Sequence, residues 1–179
     1  MPYICIVLIG RLRNGVDINT HTLQIGMEQN KKDGRYSRLY QQLETLIKKS
    51  NNRDARMATV VAVLHHKMEY FFWTGFYMLS DGELIVKSYQ GPVACQVLEK
   101  NKGVCWAAIN RNETVVVEDV HQFPGHIACD ARSNSEIVVP FRNSDGNIIG
   151  VLDVDSSEKA SFDATDAQWL ERILQLIWI

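Results

Sequence analysis

Three kinds of side chain in this 179-residue chain could do chemistry together: thiols, neighbouring carboxylates and aromatic rings. Cys95, Cys105 and Cys129 fall in the region that joins two strand-rich stretches, while Cys5 stands apart near the N-terminus. Cys129 lies in the polar loop Pro124–Asn134, and Glu136 opens the apolar run Ile137–Val139 directly after it. Taken alone, a cysteine of this kind is equally a small buried hydrophobe and a reactive thiol. Cys105, between Val104 and Trp106, suits the first description. Cys129, beside Asp130 and after a Pro-Gly-His turn, suits the second, and His121 or His126 as an imidazolium would favour a nearby thiolate. Structural zinc sites place cysteines two to four residues apart, and no such pair occurs here. Cys95, Cys105, His121, His126 and Cys129 match no common zinc spacing, so no metal is expected.

The acids form the second group. In Gly150–Ser156, GVLDVDS, strand alternation puts Val151, Asp153 and Asp155 on one face and Leu152 and Val154 on the other. Two carboxylates sharing a covered face repel each other, and at least one pKa rises unless a cation sits between them. Such a pair suits a ligand ammonium, or an acid kept protonated for proton donation; the plain alternative is a solvated sheet face. Along EYFFWTGFYML the same alternation sends Phe71, Trp73, Gly75, Tyr77 and Leu79 one way. Trp73 and Tyr77 carry polar handles that want partners, and Gly75 leaves room for something to approach. An aromatic strand is as a rule core before it is pocket. No phosphate-loop, dinucleotide or nucleophile-elbow spacing is present.

These residues need a frame. Apolar positions 36, 39, 40, 43, 46 and 47 mark one helix face, and Met57, Val60, Val61, Leu64 and Met68 mark a second. EYFFWTGFYML and LIVKSYQ read as strands joined by the turn SDGE. A short helix VCWAAIN and the strand TVVVE come after them; EIVVPF and IIGVLDVDS form another hairpin, and SFDATDAQWLERILQLI closes the chain as a helix. Hairpins with helices before and after them imply an α+β fold around an antiparallel sheet.

Composition narrows the class of function. With 46% hydrophobic and 22% charged residues, the chain reads as one globular domain. Nineteen basic against 21 acidic residues give a net charge of −2, which argues against nucleic-acid binding. The longest apolar run, Tyr3–Ile9, is too short to span a membrane and lacks the flanks of a signal peptide, so a cytoplasmic protein is expected. Residues 1–26 differ in character from the remainder of the chain. They read as an edge strand or an appended segment, with the functional domain over 27–179.

Taken together, WTGFYML, QGPVAC, KGVC, VVVEDVHQFPGHIACD, SEIVVP and GVLDVDS, in that order, resemble the signatures of the free methionine-R-sulfoxide reductases, which are built on a GAF domain. The resemblance covers roughly residues 36–178. It implies a GAF-like central antiparallel sheet with helices on both sides, a homodimer, and reduction of free L-methionine-(R)-sulfoxide with thioredoxin as reductant and no cofactor. By motif, Cys129 matches the nucleophile, Cys95 the resolving cysteine and Cys105 a further redox cysteine. Glu136, Asp153 and Asp155 match the acids that hold the substrate ammonium and assist at the sulfoxide, and Trp73 and Tyr77 the aromatic pocket. Two departures stand out: Trp106 occupies a position where a small residue is usual, and FFWTGFY replaces the usual NWVGFY while keeping Trp73, Gly75 and Tyr77. The alternative function is a GAF module that binds a ligand or senses redox state without turnover. The absence of an attached output domain weighs against it.

Overall fold

The computed structural model describes residues 18–126 and 130–179, with side chains from residue 26 onward. Cys129 and residues 1–17, Cys5 included, lie outside the described residues.

Helix α1 (Ile18–Ile47) begins well before Tyr36 and passes Met27 without a break. Between Met27 and Arg35 it carries mostly polar residues with no apolar stripe, so periodicity marks the helix only from Tyr36. Tyr36, Leu39, Leu43 and Ile47 are buried from that half. Helix α2 (Arg53–Lys67) starts at Asn52, whose side chain accepts the Ala55 amide at 2.9 Å.

The strands are β1 (Trp73–Ser80), β2 (Glu83–Gln90), β3 (Val97–Leu98), β4 (Val115–Val117), β5 (Ser135–Arg142) and β6 (Ile148–Ser156); helices α3 (Gly103–Arg111) and α4 (Ala164–Gln175) complete the fold. They form a six-stranded sheet in the order β3-β2-β1-β6-β5-β4, and every neighbouring pair is antiparallel. The β1–β2 turn places Asp81 and Gly82 at φ of 51° and 82°, the left-handed pair that matches hairpin twist. Alternation in the aromatic stretch holds only from Trp73. Phe71 belongs to a turn, its amide bonded to the Met68 carbonyl at 3.0 Å, and it packs with the residues on the face opposite Trp73.

The two sheet faces have different tasks. Phe76, Ile137, Val139, Phe141, Leu152 and Val154 pack against α1, α2 and α4 in the main core. Each such side chain contributes about 1.5–3 kcal/mol through burial. Asp166, fully buried at the start of α4, accepts from Tyr36 at 2.8 Å, Tyr70 at 2.5 Å and Lys32 at 2.7 Å, tying α1 and the approach to β1 onto α4. The other face carries Trp73, Tyr77, Val138 and Val151 under α3, whose Val104, Cys105, Trp106 and Ala108 are buried. Among the described residues, no helix is long and apolar enough to cross a membrane.

Candidate active site

Register assembles the acids. Glu136 of β5 stands opposite Asp155 of β6, and Asp155 stands opposite Trp73 of β1. Directly opposed residues share a sheet face, so these three form one row beneath α3. Asp153, two residues from Asp155 and opposite Gly75, lies on the same face in the next row. The alternation expected for Asp153 and Asp155 is therefore observed, and the face is covered: Glu136 and Asp153 are 6% and 7% exposed. A cavity of about 240 Å³ opens there, and its walls include Trp73, Tyr77, Cys95, Cys105, Glu136, Asp153 and Asp155. The candidate cysteines, acids and aromatics within the described part of the chain thus line one cavity.

Electrostatics follow from this crowding. Burial, then the charges of Asp153 and Asp155, push the Glu136 carboxyl well above the ordinary carboxylate range. Burial also pushes Asp153 up to about 7, against the lowering effect of hydrogen bonds with Cys105 and Glu136. Asp155 is raised by burial and by Asp153, with a hydrogen bond from Ser133 opposing the shift. The unliganded site therefore retains protons that free carboxyl groups would release near neutrality.

The polar handles of the aromatic pair are already engaged. Trp73 Nε1 donates to the Pro92 carbonyl at 3.1 Å, and the Tyr77 hydroxyl donates to the Cys95 carbonyl at 3.1 Å. Trp73 stacks on Tyr77 at 5.7 Å and on Tyr89 at 5.5 Å. What approaches Gly75 is this stack: a Cβ there would strike the Trp73 ring and come within 2.5 Å of Tyr89 Cβ. The rings use their donors to hold the stretch between β2 and β3.

The thiols differ sharply. Cys95 is disulfide-bonded. Cys105 is a free thiol, 4% exposed at the start of α3, and burial followed by the charges of Asp153 and Glu136 pushes it well above the usual thiol range. As a protonated thiol it donates toward Asp153 and is a poor nucleophile. Trp106, beside it, is buried with Nε1 lacking a partner, which costs about 1–3 kcal/mol.

Sequence reasoning undervalued two wall residues. His126 also lines the cavity, with Nδ1 4.0 Å from Glu136 Oε2. Burial and then His121 lower its pKa, which opposes the imidazolium role expected for it. His121 is exposed and lies 3.1 Å from the Asn134 side chain instead. Ser133, nearly buried, orients Asp155; nothing in its sequence context marks it. Helix α3 starts at Gly103 with no side-chain cap, and Gly103 and Val104 line the cavity, so its N-terminal end adds a site attractive to anions.

Comparison with known proteins places the chain in a family. A GAF domain family model matches residues 54–179. GAF domain-containing protein A of Dictyostelium discoideum is 46% identical over 147 residues, covering 82% of this chain and 92% of its own. A free methionine-R-sulfoxide reductase of Escherichia coli is 43% identical over 120 residues, covering 67% and 72%. The X-ray structure of free methionine-R-sulfoxide reductase from Neisseria meningitidis in complex with its substrate superposes with a TM-score of 0.78 at 40% identity, covering 82% of this chain and 87% of that one.

Proposed function

The chain belongs to the free methionine-R-sulfoxide reductases, oxidoreductases of the GAF-domain family, and on that premise we propose that it reduces free L-methionine-(R)-sulfoxide with Cys129 as nucleophile. The observation that carries the assignment of roles is the meeting of Glu136, Asp153 and Asp155 on one covered sheet face beside Trp73 and Tyr77.

Asp153 and Asp155 receive the substrate ammonium, whose charge relieves their mutual repulsion. The carboxylate of the amino acid turns toward the uncapped start of α3. Trp73 and Tyr77 hold the methyl-sulfur end against their ring faces. Because both ring donors are committed to backbone carbonyls, the proton for the sulfoxide oxygen comes from a carboxyl group, and Glu136, raised into the protonated range by burial and by the charges of Asp153 and Asp155, supplies it.

The Cys129 thiolate attacks the sulfoxide sulfur as Glu136 protonates the oxygen. The protonated oxygen passes from the substrate sulfur to Cys129 Sγ as the transient sulfur–sulfur bond cleaves, so the substrate's sulfur–oxygen bond is lost, methionine leaves reduced and Cys129 is left as a sulfenic acid. Cys95 then condenses with it, expelling water and forming a disulfide, which an external dithiol reduces by exchange. A disulfide at Cys95 accords with this resolving role. Cys105 remains a reserve thiol, too basic in its buried state to attack first. Thioredoxin as the reductant, pairing into a homodimer and a cytoplasmic setting belong to the same proposal.

A pocket that pairs a charged ammonium also selects the free amino acid. A peptide nitrogen would leave the buried carboxylates unpaired. Turnover of free methionine-R-sulfoxide with dithiothreitol or thioredoxin tests the whole proposal: wild type is active and Cys129→Ser is not. Activity surviving in Cys129→Ser overturns the nucleophile assignment. Binding without turnover in wild type means a ligand-binding module instead.

A further inference from the structure

The floor of the cavity holds a donor set richer than an ammonium needs. Cys105 Sγ, one Glu136 carboxylate oxygen and one Asp153 carboxylate oxygen all lie within 4.8 Å of one another, and all three residues are buried. Asp153 is only 7% exposed, and its Oδ1 is buried with no hydrogen-bond partner. An oxygen lone pair left unused at this depth is costly, and its cost falls when a cation reaches it.

The three donors come from separate elements: Cys105 from the first turn of α3, Glu136 from β5 and Asp153 from β6. A tetrahedral zinc ion, with sulfur at about 2.3 Å and oxygens at about 2.0–2.2 Å, holds its ligand atoms about 3.4–3.6 Å apart. Closing the three atoms on one ion therefore takes side-chain movements of about an ångström. The sulfur selects against magnesium and calcium, which take oxygen ligands only, and favours zinc or cadmium.

We propose that Cys105, Glu136 and Asp153 form a binding site for a divalent cation of the zinc and cadmium class. On binding, the thiol proton and any carboxyl proton pass to solvent, and the ion takes their place. This set differs from the cysteine and histidine residues considered from spacing, because its members meet only across strands and a helix. Mutual exclusion of the ion and the substrate ammonium rests on the function proposed above; binding of the ion does not.

The test is a titration of the full chain, in its disulfide form, with cadmium chloride, read by the ultraviolet charge-transfer band of a cadmium–thiolate bond. Wild type and Cys5→Ser develop the band to one ion per chain, Cys105→Ser loses it, and Asp153→Asn binds at least about tenfold more weakly. No band in wild type, a band undiminished in Cys105→Ser, or unchanged affinity in Asp153→Asn overturns the site. Excess L-methionine raises the apparent cadmium dissociation constant. A titration indifferent to methionine, with the band and its Cys105 dependence intact, upholds the metal site and instead refutes the placement of the ammonium.

Discussion

Glu136 and Asp155 face each other directly across the β5–β6 pair, two carboxylates in positions where a sheet tolerates like charges poorly. Asp153, diagonal to Glu136 on the same face, adds a third, and burial heightens every repulsion among them. The unliganded fold is thus held together in spite of this cluster, and the consequences are measurable.

The first consequence concerns stability and pH. Asp153 binds its proton more tightly folded, at about 7, than unfolded, near the ordinary aspartate value of about 4. The folded state therefore holds protons that the unfolded chain releases, and stability falls as pH rises between those values. Asp153→Asn removes this loss: the unliganded variant melts several degrees higher than wild type at pH about 8, a gain of about 1–3 kcal/mol, with little gain near pH 4. Substrate affinity drops in the same variant. Calorimetric melts at the two pH values check the sign, and equal gains at both would refute the linkage.

Glu136 and Asp155 separate by kinetic signature. Glu136→Gln lowers kcat about 10²–10⁴-fold with a much smaller change in KM, as removal of a proton donor should. Asp155→Asn acts chiefly on KM, since the ammonium is bound in ground state and transition state alike. Steady-state kinetics on the two variants decide the matter, and an exchange of these patterns would exchange the roles.

Gly75→Ala probes the aromatic wall. The added methyl strikes Trp73 and crowds Tyr89, neither of which can retreat without breaking the stack. A loss of about 1–3 kcal/mol in urea unfolding is expected, together with weaker near-ultraviolet circular dichroism from the displaced indole. A variant of wild-type stability would show that the stack yields easily.

Tyr77→Phe keeps the ring face and removes the hydrogen bond to the Cys95 carbonyl. The first release of methionine in a single turnover proceeds at nearly the wild-type rate, while the subsequent disulfide formation slows. Quenched-flow measurement of methionine beside thiol titration resolves the two steps. Equal slowing of both would assign the hydroxyl to substrate instead.

Much of this site could be read along single strands. The alternation in GVLDVDS put Asp153 and Asp155 on one face, and the strand from Trp73 to Tyr77 did the same for the rings, because side-chain direction in a strand depends only on parity. Phe71 broke the pattern because a turn, invisible to parity, intervenes. The long start of α1 escaped notice because the turns between Met27 and Arg35 show no apolar stripe, and β3 because two residues carry no period. Glu136 acquired meaning from motif resemblance alone, since its pairing with Asp155 depends on hairpin register. The approach of Cys105 to Asp153 is likewise a property of how α3 lies on the sheet, and no local spacing encodes it.

The stretch between β2 and β3 hangs from two rings, Pro92 from Trp73 and Cys95 from Tyr77. The same rings wall the cavity beneath α3. If the chain acts as proposed, sulfur chemistry at Cys95 pulls on the wall of the substrate cavity, and the oxidation state of the protein becomes a variable in its affinity for substrate.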